Sequence, residues 1–286
     1  MAWYRSAVRY FEATLVDNIR LAPHTCVLRL GGCASLEAAR PGQFVMVRGD
    51  WGADPLLPRA FSLLAIRGDG VVDLLVKAVG KATRLLERAT PGERLAVLGP
   101  LGTAFPEPRP DRDDWLVAGG VGLAPLLMHA ARARATGCSD RITLFYGGRS
   151  AEDLVLVDAI EATGCRVVFA TEDGSRGVRG YVTAAVEAAA AAGGAPTVLA
   201  CGPEPMLRAV ARLCRARGLD GYLSLEGEMA CGIGACLACA VPCRSRPYRY
   251  TCTDGPVLPL ADLAGPYAGE PAPLDAAHDV DGVRVR

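Results

Sequence analysis

Five cysteines crowd into 22 positions near the C-terminal side of a 286-residue chain: Cys231, Cys236, Cys239, Cys243 and Cys252. The run Cys231-Gly-Ile-Gly-Ala-Cys236-Leu-Ala-Cys239, followed after twelve residues by Cys252, has the C-x4-C-x2-C…C spacing of plant-type 2Fe-2S centres. Such a centre needs four thiolates and a loop that wraps closely around negatively charged sulfur, which Gly232 and Gly234 permit. A structural zinc site usually shows two paired C-x2–4-C knuckles, and only one is present. Cys243 follows Cys239 too closely for the spacing, so Cys252 is the expected fourth ligand beside Cys231, Cys236 and Cys239. A segment this rich in Cys, Gly and Pro is too small to fold without such a staple.

The surrounding chain can build cores of its own. Hydrophobic residues make up 51% and charged residues 22%, which excludes disorder. Basic and acidic residues balance at 31 each, which argues against a nucleic-acid binder. No apolar run approaches the roughly 20 residues of a membrane helix. Met1-Ala2-Trp3-Tyr4-Arg5 lacks the apolar stretch of a secretory signal, so the expectation is a soluble cytoplasmic protein. In that reducing compartment clustered cysteines point to metal binding, and the six cysteines upstream read as small core residues.

Length favours more than one core. Short β-rich runs fill the first hundred residues: Val8 to Val16, Thr25 to Leu30, Gln43 to Val47, Ala60 to Ala65, Val71 to Val76 and Arg94 to Leu98. With turn signals between them they predict a small antiparallel barrel. Pro106 to Pro110, with Asp111 to Asp114, reads as a linker. From Trp115 strands alternate with helices, predicting a parallel sheet covered by helices at Leu123 to Ala135, Ala151 to Thr163, Val182 to Ala192 and Pro205 to Arg217. The boundaries expected are a barrel over 1–108, an α/β unit over 109–221, a cysteine-rich unit over 222–264 and a loosely held tail over 265–286.

Two groups of residues suggest cofactors. Arg59-Ala60-Phe61-Ser62 offers a guanidinium for a pyrophosphate, an aromatic ring for an isoalloxazine and a hydroxyl for flavin N5. Downstream, Lys77, Val79, Gly80, Ala82 and Thr83 lie in a turn that opens a helix and presents N–H groups to phosphate. It holds both lysines of the chain, Lys77 and Lys81. In the α/β unit, Gly119, Gly120 and Gly122 follow a strand and open a helix, the setting of a dinucleotide loop. Cys201 and Gly202 end another strand of that sheet. Glu172 and Asp173 could accept ribose hydroxyls, favouring NAD, whereas Arg149 pulls toward a 2′-phosphate. None of His24, His129 and His278 stands in a catalytic constellation, and no catalytic residue is assigned. The chain reads as one that moves electrons.

In this order the motifs resemble those of the electron-transfer subunit of NAD-dependent dihydroorotate dehydrogenase, within the ferredoxin-reductase-like flavoproteins. The resemblance runs over roughly residues 8 to 264. It rests on Pro41-Gly-Gln-Phe44, Arg59-Ala-Phe-Ser62, Gly80-Lys-Ala-Thr83, Leu98-Gly-Pro-Leu-Gly102, Gly119-Gly-Val-Gly122, Asp173-Gly-Ser175, Cys201-Gly-Pro203 and Glu228-Met-Ala-Cys-Gly-Ile-Gly-Ala-Cys236. It departs at Ala60, where the family has Pro, and at Ala82, where it has Gly. Ala82 therefore needs a negative φ or some strain.

The resemblance implies an FAD-binding barrel, an NAD-binding α/β domain and a small C-terminal 2Fe-2S domain. It implies a hetero-oligomer, a heterotetramer in the family, with an FMN-containing dihydroorotate dehydrogenase catalytic subunit. Electrons from that subunit would cross the cluster and FAD to NAD+, in pyrimidine biosynthesis. Two other readings share parts of the pattern: a related reductase subunit serving another redox partner, such as a hydrogenase or a sulfide-oxidising complex, and a non-enzymatic module whose cysteines hold zinc.

Overall fold

The computed structural model describes residues 8–270. The expectations for Met1 to Arg5, His278 and the tail from residue 271 lie outside those residues. Six strands close the N-terminal barrel: β1 (Arg9–Ala22), β2 (Thr25–Gly31), β3 (Phe44–Gly49), β4 (Arg59–Gly68), β5 (Val71–Lys77) and β6 (Arg94–Leu101). Their order around the barrel is β1-β2-β5-β4-β3-β6, every neighbouring pair antiparallel. Closure removes the free edges that strands this apolar would otherwise expose. Leu15, Leu28, Leu30, Val45, Leu63, Leu74 and Val97 fill the interior. Strand β1 runs well past the expected Val16, because its outer half keeps pairing with β2 as far as Ala22.

A single helix, α1 (Lys81–Arg88), leaves the barrel after β5. Its C-terminal end is held by a side chain from β1. Asn18 Nδ2 donates to the carbonyls of Leu86, Glu87 and Ala89 at 3.2, 3.1 and 2.8 Å. A helix end leaves its last carbonyls without their usual donors; Leu86 also accepts the Ala89 N–H at 3.2 Å. Ala82 lies within α1, absent from the residues with positive φ, so the strain raised by its departure from the family pattern does not arise.

The second unit is a seven-stranded sheet in the order β10-β9-β8-β7-β11-β12-β15. These strands are β7 (Asp114–Gly119), β8 (Ile142–Gly148), β9 (Arg166–Thr171), β10 (Val178–Arg179), β11 (Thr197–Cys201), β12 (Gly221–Ser224) and β15 (Val257–Pro259). All pairs are parallel except β12 with β15. Buried on both faces, β11 reads as a continuous apolar run with Thr197 at its start. Helices α2 (Leu123–Ala135), α3 (Val157–Glu161), α4 (Val182–Ala191) and α5 (Glu204–Arg217) cover the sheet. Strands β13 (Ala240–Pro242) and β14 (Tyr248–Tyr250) form a separate hairpin in the cysteine-rich segment. Among the described residues no helix is long and apolar enough to cross a membrane.

Three expectations need correction. The helix expected over Ala151 to Thr163 is a 3-10 turn, Ala151–Asp153, and the short α3, with Leu156 between them at φ 60°. The extended stretch between them buries Leu154 and Val155 in the core shared by barrel and sheet. Asp114 is no linker residue: it opens β7 fully buried, paired with Arg112 at 2.7 Å and with His129 at 3.5 Å. Nor is the chain loose over residues 264–270. Residues 265–268 form a 3-10 turn that buries Tyr267, and Arg215 of α5 donates to the carbonyls of Leu260 and Leu263.

Replacing Asn18 by Ala removes its side-chain hydrogen bonds to the end of α1, at a cost of about 1–3 kcal/mol. Thermal unfolding of Asn18→Ala is expected at a Tm several degrees below that of the parent protein. An unchanged Tm would remove Asn18 from the forces that seat α1.

Candidate redox and nucleotide sites

The cysteine segment lies directly on the barrel. Gly232, at φ 73°, is so close that a Cβ there would stand 2.7 Å from Met46 Cγ and 3.1 Å from Leu101 Cδ1. Cys239 and Cys252 are buried with Phe44, Met46 and Leu101, their sulfurs 3.2 Å apart. Cys231 and Cys236 form a second, outer pair, with the Cys236 N–H donating to Cys231 Sγ at 3.4 Å. Burial raises the Cys231 thiol, but N–H groups of Ile233, Cys236 and Ala235 and the Cys236 side chain more than offset this, bringing it to about 6. Burial and the neighbouring Cys239 thiol push Cys252 up to about 12.

Among the described residues no three His, Cys, Asp or Glu side chains converge as the ligands of one metal ion do. The thiols stand instead as two adjacent pairs. A two-iron cluster asks for that division, two thiolates to each iron, so the residues fit it. Cys243 lies elsewhere, buried with Leu260 and Leu263 and bridged to Leu263. Of the six upstream cysteines, Cys165 is half-buried and the other five are buried.

Beside the thiols lies a cleft of about 710 Å3, within the range of cofactor sites. Arg59, Ala60, Phe61 and Ser62 of β4 line one side, and Lys77, Val79 and Thr83 another. Met229, Ala230 and Ala238 of the cysteine segment also face it. Arg59 is held at the rim by donating to the carbonyls of Leu57 and Pro58 at 2.8 and 3.2 Å. Thr83 Oγ1 accepts from the N–H groups of Val79 and Gly80 at 3.0 and 2.9 Å, fixing the turn before α1. The first N–H groups of α1, including that of Ala82, have no intrahelical acceptor and suit a phosphate. Glu226, which sequence reasoning passed over, lines the same cleft with its side chain exposed.

A second cleft, of about 640 Å3, opens where the connections from β7 and β11 diverge to opposite sides of the sheet, the position at which open α/β sheets bind ligands. Gly119 and Gly120 line it, and Gly120 is at φ 54° with open space where a side chain would be. Gly122, Cys201 and Gly202 lie behind them and hold the two strand ends in contact. A Cβ on Gly122 would be 2.2 Å from the Cys201 carbonyl oxygen, and one on Gly202 would be 3.0 Å from Gly119 Cα. Cys201 itself is buried, and burial pushes its thiol well above the usual range. Asp173 points to its own loop, where hydrogen bonds from the Ser175 side chain and N–H hold its carboxyl below the usual range. Its neighbour Glu172 faces the cleft, together with Arg149, Asp153 and Met206. Asp153 was not singled out from the sequence, although an acid four residues after Arg149 is a readable ion-pair signal. Lys77 borders both clefts.

Comparison with known proteins agrees with this division. Residues 12–105 match the oxidoreductase FAD-binding domain, 116–212 the oxidoreductase NAD-binding domain, and 226–264 the iron–sulfur cluster binding domain of dihydroorotate dehydrogenase B. The "dihydroorotate dehydrogenase B (NAD(+)), electron transfer subunit" of Geobacillus thermodenitrificans is 38% identical over 87% of this chain and 96% of its own length. The protein of that name from Fusobacterium nucleatum is 34% identical over 88% and 97%. Among solved structures, an NADH-dependent reduced ferredoxin-NADP oxidoreductase superposes with a TM-score of 0.78 at 27% identity, over 88% of this chain and 89% of that one. With three domain matches in this order and such coverage, the chain belongs to the family of electron-transfer subunits of dihydroorotate dehydrogenase B.

Proposed function

We propose that the protein passes electrons from a dihydroorotate-oxidising, FMN-containing catalytic subunit through a 2Fe-2S cluster and FAD to NAD+. The observation that carries this reading is a shared wall. Met229, Ala230 and Ala238 of the cysteine segment face the flavin cleft, and Phe44 borders that cleft while packing on Cys239 and Cys252. When bound, the cluster carries single electrons, NAD+ accepts a hydride, and FAD converts one currency into the other.

The chain's own residues hold these groups in place. Cys231, Cys236, Cys239 and Cys252 ligate the iron. Arg59 and the turn from Gly80 to Thr83, Ala82 included, hold the FAD pyrophosphate, with Phe61, Ala60 and Ser62 along the isoalloxazine and Lys77 and Val79 at its flank. Gly119 and Gly120 let the NAD backbone approach, and Gly122, Cys201 and Gly202 set the spacing behind them. Glu172, rather than the self-bonded Asp173, faces the ribose. The domains follow the sequence boundaries 1–108, 109–221 and 222–264, except that the last boundary falls inside β12, which together with β15 extends the nucleotide-binding sheet. The partner forms a hetero-oligomer with this chain and covers the cysteine loop, where Cys236 and Leu237 are exposed and Met229 half-buried. The eleven cysteines suit the reducing cytoplasm.

In protein purified without oxygen, Cys252→Ser is expected to abolish or severely perturb the iron–sulfur absorbance and electron paramagnetic signal, and Cys243→Ser to leave them intact. The reverse pattern would overturn the ligand set. Arg59→Ala removes a charge-assisted contact of about 1.5–3 kcal/mol, so FAD should bind some ten- to a hundredfold more weakly while the iron content stays unchanged. Undiminished flavin occupancy would sink that role. The isolated chain should reduce artificial acceptors with NADH yet leave dihydroorotate untouched until the catalytic subunit is added, when NADH forms with orotate. If no such partner restores the coupled reaction, the reading as a reductase for another redox protein replaces this one.

A further inference from the structure

The lip of the nucleotide cleft carries two cations, and one carboxylate holds both. Lys77 comes from the end of β5 in the barrel and Arg149 from the loop after β8; they are the basic residues among those lining the cleft. Lys77 Nζ lies 3.5 Å from Asp153 Oδ1, and Arg149 Nε lies 3.3 Å from Asp153 Oδ2. The same Oδ2 accepts the backbone N–H of Arg149 at 3.2 Å, which fixes the carboxylate independently of either side chain. Asp153 is mostly covered, its side chain 22% exposed, whereas the Arg149 side chain is 75% exposed. Glu172 adds a second carboxylate to the lining, so two positive and two negative groups cancel. Arg176, on the neighbouring loop, is engaged elsewhere, its guanidinium 4.2 Å from the centre of the Phe169 ring.

NAD and NADP differ by one phosphate on the adenosine 2′-oxygen, a group with nearly two negative charges at neutral pH. A site that accepts it needs a cation free to fork onto the phosphate oxygens. Here Arg149, the cation of the lining that does not border the flavin cleft, is already neutralised. We propose, on the reading that this cleft binds a nicotinamide dinucleotide, that Asp153 is the specificity-determining residue that excludes the 2′-phosphate by holding Arg149, with Lys77 at the flavin side helping to fix the carboxylate. Selectivity arises from repulsion and occupied partners as much as from contacts to the accepted ligand. A surface ion pair alone is weak. Asp153 is stronger than that because it is mostly buried, bonded to the backbone and shared by two cations.

The test uses the holoprotein and two probes, 5′-AMP and adenosine 2′,5′-bisphosphate, titrated by calorimetry. Asp153→Asn keeps the acceptor for the Arg149 N–H and removes only the charge; Asp153→Ser serves as a second variant should the first fold poorly. The parent protein should prefer 5′-AMP. Either variant should shift the ratio of the two affinities toward the bisphosphate by about tenfold or more, the size of one charge-assisted contact. The NADPH-to-NADH ratio of kcat/KM in dye reduction should move the same way. Adding Arg149→Gln to the variant should reverse most of the shift, while Arg149→Gln alone should leave the parent ratio unchanged. A merely structural role for Asp153 would weaken both probes equally. An unmoved ratio with intact 5′-AMP binding therefore overturns the inference. If neither nucleotide binds the parent protein, it is the reading of the cleft as an NAD site that fails.

Discussion

The contact of Gly232 with Met46 and Leu101 lays the cysteine loop on the wall of the barrel, and the remaining relationships depend on that seating. Backbone bonds tie the same segment down further along. Thr103 N–H donates to the Gly255 carbonyl at 2.6 Å and Thr103 Oγ1 to that of Val257 at 2.9 Å. Strand β15 then pairs with β12, so one short stretch is stitched to the barrel on one side and to the sheet on the other. Electron carriers must be close and dry to exchange charge. This architecture achieves both by letting each unit supply part of its neighbour's boundary.

The two larger units are likewise not independent bodies joined by a tether. Val27, Leu64 and Leu75 of the barrel share a buried core with Leu116, Ala124 and Leu127 of the α/β unit. Buried Asp114 and His129, with half-buried Arg112, lie where the chain crosses between them, the Phe105 ring edge-on to His129 at 6.1 Å. A junction of this kind resists hinge motion, because separating the units exposes apolar surface and strands a buried carboxylate.

What could be read from sequence follows from how local each signal is. The thiol spacing was legible because a cluster imposes its geometry on a single short segment. The parallel strands were legible because burial on both faces removes polar residues from β7 and β11 almost completely. The segment over 151–163 misled, since the left-handed Leu156 that breaks it is invisible in the local sequence. Strand β15 contains a proline and spans only three residues; what makes it a strand is a partner 35 positions earlier in the chain. The glycines of Gly119-Gly120-Val121-Gly122 looked alike, but only the fold separates those bordering the cleft from Gly122, pressed on the Cys201 carbonyl. Asp153 was missed for the same reason: half of its partnership, Lys77, belongs to the other unit.

The position of β15 also sets an order of assembly. Ribosomes add roughly 5–20 residues per second, and domains tend to fold as they emerge. The barrel and most of the parallel sheet are therefore available before the segment that completes the wall of the flavin cleft and the edge of the sheet has been made. The last wall of the flavin cleft and the edge strand of the sheet thus come from the same late stretch of chain, so the cleft stays open on that side until this stretch has been made.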